Sequence, residues 1–393
     1  MALTTNRQLE LITESKIREF DQLFRSIDGC IMMTMGEPDF SMPNNVKSAA
    51  IQAINDDESH YSHSMGDIGV REAVAEFLQK NHQVTFDPEK EIIMTIGATE
   101  AIYSALLGIL NPGEKVIIPT PSFPLYKQAT TVAYGEAVEV DTSATGFILT
   151  PEKLHEVMKE QENVKAIVLN FPSNPTGVTY TREEMTALAE AIKQYDIFVL
   201  SDEIYSELTY GVEHVSMAEL LPEQTILISG ASKSYAMTGW RVGFVAAKAP
   251  WIPAIFKAHQ TVVTTGGTVS FKAAEAAYRN GGADIERMRV EYEKRRDICV
   301  AALTKAGFDV PEPKGAFYVF AKIPAQFKGD DDAFCRLLAT EAKVGMIPGR
   351  FFGPGGEGYV RMSFALSTEL VQEAMDRVTH FLEKGFYGVI SVD

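Results

Sequence analysis

Apolar positions along the chain follow two spacings, and the alternation between them predicts the architecture. Residues 8–27 (QLELITESKIREFDQLFRSI) carry Leu11, Ile12, Ile17, Phe20, Leu23 and Phe24 at helical intervals, which predicts one amphipathic helix. The following MTMGEPDF reads as a loop because of its Gly and Pro. From there to about residue 270, short β-rich runs (KVIIPTP, KAIVLNFP, IFVLSDE, QTILISG and VGFVAA) alternate with helical stretches such as REEMTALAEAIKQY. Continuous apolar strands between helices predict a mostly parallel sheet covered on both faces, an α/β fold. After residue 280 the texture changes. DIERMRVEYEKRRDICVAALTKAGF is a long charged helix, and GAFYVFAKI, YVRMSFAL and the helix LVQEAMDRVTHFLEK predict a smaller α/β unit. The N-terminal helix is expected to pack near it, since neither buries its apolar face alone. The expected division is a large domain over 46–281 and a small domain built from 1–45 together with 282–393.

Composition narrows the class. At 393 residues with 46% hydrophobic and 23% charged positions, the chain is long enough for two lobes. Its net charge of -17 argues against nucleic acid and anionic membrane surfaces as partners. The three cysteines (Cys30, Cys299, Cys335) form no C-x-x-C pair, and the N-terminus lacks a basic segment followed by an apolar core. A cytoplasmic protein is the expectation. Seven scattered histidines, among them His60 and His63, predict no metal site.

In open parallel sheets, ligands bind outside the carboxyl ends of the strands. Those ends hold an unusual collection here. KAIVLNFP runs into Ser173-Asn174-Pro175-Thr176-Gly177, IFVLSDE ends in Asp202 with Tyr205 after it, and QTILISG runs into Ser232-Lys233. The segment after IIMTIG offers Gly97-Ala98-Thr99. Singly, each has an ordinary explanation: a turn asparagine, a helix-capping aspartate, a core tyrosine, a solvated lysine. Arg241 reads as a buried arginine inside the next apolar strand, and Arg361 sits in the strand-like EGYVRMSFA; both need a reason to be there. Together and in this order they are a strong signal.

These residues, with Gly36-Glu37-Pro38-Asp39-Phe40, Tyr61 and Phe123, resemble the class I/II aminotransferases of the fold-type-I pyridoxal-phosphate enzymes over essentially the whole chain. The resemblance implies that Lys233 holds pyridoxal 5′-phosphate covalently and shuttles a proton as general base and acid. It implies that Asp202 keeps the ring nitrogen protonated, that Asn174 and Tyr205 bond the ring oxygen, and that Phe123 stacks on the ring. Phosphate contacts come from Gly97, Ala98, Thr99, Ser232 and Arg241, with Tyr61 reaching the neighbouring subunit's phosphate in an obligate homodimer with shared active sites. Gly36, Asn174 and Arg361 hold the substrate's α-carboxylate, and an L-amino acid exchanges its amino group with a 2-oxo acid by ping-pong kinetics.

Motifs similar to bacterial aromatic-amino-acid aminotransferases (GEPDF, TEAIYSALLGIL, GAFYVFAKIPA) sit beside others shared with N-acetyl-diaminopimelate aminotransferases (SDEIYSELTY, SKSYAMTGWR). Aspartate aminotransferases are more distant relatives. Ile17, Phe20, Phe351 and Phe352 are candidates for an apolar lid, and no second cation for an acidic side chain stands out. An aromatic donor with 2-oxoglutarate as acceptor is therefore expected. A pyridoxal-phosphate β-lyase would use the same Lys233 and Asp202 and is the rival; a DNA-binding regulator would need an appended segment, and only about 35 residues precede GEPDF.

Overall fold

Among the described residues twelve strands form, the longer ones mostly where β-branched and other apolar residues cluster. The computed structural model describes residues 3–384, so 385–393 of the expected small domain lie outside it. In chain order the strands are β1 (Ile31–Met32), β2 (Ile92–Thr95), β3 (Lys115–Thr120), β4 (Glu136–Asp141), β5 (Val164–Asn170) and β6 (Phe198–Asp202). They continue with β7 (Thr225–Gly230), β8 (Gly243–Ala247), β9 (Tyr318–Lys322), β10 (Val344–Gly345), β11 (Ile347–Pro348) and β12 (Tyr359–Ser363).

Seven strands build the central sheet in the order β2-β8-β7-β6-β5-β3-β4. All run parallel except β8, which is antiparallel to both of its neighbours. Every residue of β2, β7 and β8 is buried, because helices cover both faces. Neighbouring residues therefore enter different cores. Met94 and Phe244 pack with the helices Asn44–Asn55, Ile68–His82 and Thr268–Asn280, whereas Ile93 and Val245 pack with Gly97–Ile109 and Ile252–Val263.

The second sheet is antiparallel, β11-β12-β9, and the long helix Gly282–Lys305 packs on the helix Thr368–Glu383 beside it. The chain's start is stitched to a strand near its end: β1 pairs with β10 through Ile31 and Val344. Phe20 meets Phe351 edge-on at 5.1 Å. Phe24 lies where a side chain on Gly345 would fall, 2.8 Å from its ring. One expectation needs correction. The segment 8–27 is two helices, Arg7–Glu10 and Lys16–Arg25, because the Ser15 side chain caps the Arg18 amide and starts the second. Leu11 is left exposed.

Candidate active site

Strands β5, β6 and β7 end side by side, so Asn174, Asp202 and Lys233 arrive at one edge of the central sheet. The reversed strand β8 begins at that same edge. Gly243 pairs with Thr95 on one side and Gly230 on the other, which brings the preceding Arg241 to the crevice. The cavity there measures about 1050 Å³ and is lined by Gly36, Ala98, Thr99, Phe123, Asn174, Asp202, Tyr205, Ser232, Lys233, Arg241 and Arg361. Gly97 lies just behind the wall: a Cβ there would meet the Arg241 guanidinium at 2.6 Å. Tyr61 is not brought in. It is 88% exposed and lines no part of the cavity.

Arg241 also departs from expectation. It precedes the apolar strand rather than lying within it, in a left-handed conformation (φ 54°), and is exposed on the cavity side. Its Nη1 donates to the Thr238 carbonyl at 3.0 Å. The helix Gly97–Ile109 opens opposite it, and its first amides have no acceptor within the helix. A Cβ on Gly243 would come within 2.5 Å of the Ala98 amide nitrogen, so only glycine lets β8 and this helix approach so closely.

Asp202 is buried at the end of β6. One carboxylate oxygen accepts from the Tyr126 hydroxyl at 2.7 Å, the other from the Ile204 amide at 3.2 Å. Burial raises its pKa to about 6, against the lowering effect of those two donors and of Lys233, while Glu203 beside it adds to the rise. Lys233 donates from Nζ to the Gly36 carbonyl at 2.7 Å. Burial pushes its pKa down to about 8; Glu37 opposes this, and the cations Arg241 and Arg361 reinforce it.

Arg361 comes from the other sheet and is buried. Nη1 donates to Asn174 Oδ1 at 3.1 Å and Nη2 to the Thr34 carbonyl at 2.5 Å, while Nε has no partner among the described residues. The guanidinium lies 4.8 Å from the Tyr318 ring centre and 4.9 Å from that of Phe352. Tyr205 and Tyr318 share a hydroxyl–hydroxyl bond of 2.9 Å. Gly36 has no room for a side chain, since a Cβ would overlap the Tyr318 hydroxyl.

The lid expectation holds in part. Ile17 lines the cavity, but Phe20 and Phe352 are core residues and Phe351 packs on Phe20. Sequence reasoning missed Tyr126, Tyr318 and Thr34, whose polar atoms hold Asp202, Tyr205 and Arg361. It also missed Arg18, a further cation in the cavity lining, on the helix Lys16–Arg25. The available signal was Tyr126 three residues after Phe123, in the first turn of the helix Leu125–Val132 that follows it. No cluster of three or more His, Cys, Asp or Glu residues able to hold a metal occurs among the described residues. Nor is any described helix long and apolar enough to cross a membrane.

Comparison with known proteins agrees with this geometry. Residues 28–378 match the family Aminotransferase class I and II. The chain is 42% identical over 378 residues to a probable N-acetyl-LL-diaminopimelate aminotransferase of Bacillus subtilis, covering 96% of this chain and 95% of that one. It is 37% identical over 383 residues to aromatic-amino-acid aminotransferase 2 of Thermococcus litoralis, covering 96% and 98%. The solved structure of the aspartate aminotransferase from Thermus thermophilus with maleate superposes with a TM-score of 0.91 at 32% identity, covering 96% of this chain and 100% of that one. With a buried carboxylate, a depressed amine and two guanidiniums converging at the strand ends of such a fold, this chain belongs to the class I and II aminotransferases, pyridoxal-phosphate-dependent enzymes of fold type I.

Proposed function

We propose that the protein transfers the α-amino group of an aromatic L-amino acid to a 2-oxo acid such as 2-oxoglutarate, as a cytoplasmic homodimer. The observation that supports the site reading most is the pairing of Lys233 with Asp202: an amine held near a pKa of about 8 facing a buried carboxylate across one cavity. The donor set fits pyridoxal phosphate. Free helix amides at Ala98 and Thr99 with Arg241 suit a phosphate, the closeness of Gly97 and Gly243 leaves the cradle open, and buried Asp202 calls for an N–H opposite it.

When bound, that cofactor supplies a carbonyl carbon for the amino group and a ring that draws electrons from the substrate's Cα. Lys233 would hold the cofactor at rest and, once freed, would carry on Nζ the proton that leaves the substrate's Cα. The Tyr126 hydroxyl keeps the Asp202 carboxylate oriented, and that carboxylate would hold a proton on the ring nitrogen. Tyr205 and Asn174 would donate to the ring oxygen, Phe123 would cover the ring, and Ser232 would add a hydroxyl at the phosphate. Arg361 grips the substrate carboxylate with Asn174 and the Gly36 amide, using donor capacity its protein partners leave unused. In this reading 46–281 forms the cofactor-holding domain and 1–45 with 282–393 the smaller one.

An apolar wall of Ile17, Met35, Ile102 and Phe123 supports an aromatic donor. Arg18 supports a second reading, in which the favoured substrate carries a distal carboxylate, as aspartate and N-acetyl-diaminopimelate do. The test has two stages. Protein loaded with pyridoxal phosphate should be yellow, lose its near-visible absorbance on borohydride treatment, and stay colourless as Lys233→Ala. A donor screen with 2-oxoglutarate should then give phenylalanine or tyrosine a higher kcat/KM than aspartate or N-acetyl-diaminopimelate; the reverse order selects the second reading, and release of a thiol, pyruvate and ammonia from an added cysteine S-conjugate, with no glutamate from any donor, selects elimination.

A further inference from the structure

Outside the cavity wall, a buried ionisable pair with no part in the mechanism above stands on the helix that opens at the cavity. Glu100 lies in the first turn of the helix Gly97–Ile109, and His259, wholly buried, reaches it from the helix Ile252–Val263. His259 Nδ1 sits 3.1 and 3.2 Å from the two Glu100 carboxylate oxygens, and Nε2 sits 2.9 Å from the Ser64 carbonyl. A carbonyl only accepts, so Nε2 carries a hydrogen. The remaining partners of Glu100, the Ile96 amide at 3.1 Å and the Ser104 hydroxyl, both donate to it, which suits a carboxylate. Nδ1 then carries a hydrogen too, and the ring is an imidazolium. Consistently, Glu100 and Ser64 raise the imidazole's pKa despite the opposing effect of burial.

The location makes this pair consequential. By accepting from the Ile96 amide, Glu100 puts a negative charge at the same helix end whose residues Ala98 and Thr99 line the cavity. One helical turn is about 5 Å, well inside the roughly 10 Å over which salt leaves charges interacting. A carboxylate there, uncompensated, would repel the dianion that this end and Arg241 are built to attract. We propose that His259 is a positioning residue of the phosphate cradle: its imidazolium cancels the Glu100 charge and ties the Ser64 carbonyl, and so the segment bearing Tyr61, to the cradle helix. The inference rests on the reading that this cradle holds the cofactor's phosphate.

The test titrates full-length, cofactor-stripped protein with pyridoxal 5′-phosphate and, separately, with pyridoxal, which lacks the phosphate. His259→Gln keeps hydrogen-bonding capacity and loses the charge; it should bind pyridoxal 5′-phosphate about tenfold more weakly and pyridoxal as the wild type does. The double variant Glu100→Gln/His259→Gln should regain wild-type affinity, and Glu100→Gln alone should bind at least as tightly as the wild type. Equal affinity of His259→Gln and wild type for pyridoxal 5′-phosphate overturns the proposal, as does a loss shared by pyridoxal or a loss the double variant does not repair. Weaker binding by Glu100→Gln alone overturns it even if His259→Gln does not fold. A wild type that binds no pyridoxal 5′-phosphate would instead sink the functional reading itself.

Discussion

Asp202 shows how function and stability oppose each other at one residue. Its pKa is raised from 3.8 to about 6, so between those values the folded chain holds a proton that the unfolded chain has released. Stability of the cofactor-free protein therefore falls as pH rises through this window, by at most about 3 kcal/mol at neutral pH. Asp202→Asn removes that cost while still accepting from Tyr126. Its melting temperature without cofactor should exceed the wild type's at neutral pH and match it near about pH 4, with transamination nearly abolished. A flat difference between the two pH values would show that Asp202 carries no such penalty. Lys233 works in the opposite sense. Its pKa is depressed to about 8 from 10.5, so across that window the unfolded chain binds more protons and stability rises with pH. Arg18→Gln tests the cavity's far end: KM for 2-oxoglutarate should rise about tenfold while KM for phenylpyruvate stays put. Equal changes would remove Arg18 from acceptor recognition.

Elements deliver these residues through close approaches that only small side chains permit. Gly243→Ala would drive a methyl into the Gly97–Ala98 peptide, with backbone on both sides. A loss of about 1–3 kcal/mol in stability is expected, together with weaker pyridoxal-phosphate binding because the cradle helix is displaced. Thermal melts and cofactor titration check both; an unchanged titration would mean the helix end does not set affinity. Most strands were legible from apolar runs, though β1, β4, β10 and β11 were not, and much of the cavity lining was legible from what stands at the strand ends. Tyr318 was not, since it sits among apolar neighbours and reads as core until its hydroxyl finds a partner; Tyr126 shows its role only through its bond to Asp202, 76 positions away. Glu100 and His259 are 159 positions apart, a pairing that no local pattern announces. The break before Ser15 was hidden because the apolar spacing of residues 8–27 continues across it.

Across the whole molecule, the cavity is a joint between two sheets. Arg361 reaches Asn174 across it, and Lys233 reaches the carbonyl of Gly36 from the chain's opening segment. Tyr61 stays outside, exposed on a segment held by Thr268 at the His60 carbonyl and by a Ser62–Thr265 hydroxyl pair. An exposed ring on a tethered segment is what a residue serving a neighbouring subunit requires. Tyr61→Phe should weaken pyridoxal-phosphate binding several-fold while leaving the mass of the assembly in solution unchanged. Unaltered affinity would end the shared-site reading.

The reversal of β8 has a consequence of its own. Because β7 and β8 form an antiparallel pair, Lys233 and Arg241 stand near opposite ends of the single connection, 231–242, that joins them. Amine and guanidinium thus keep a fixed spacing set by that loop's length, like two prongs of one fork. Lengthening the loop between them by a residue would leave the ladder intact and spread the prongs.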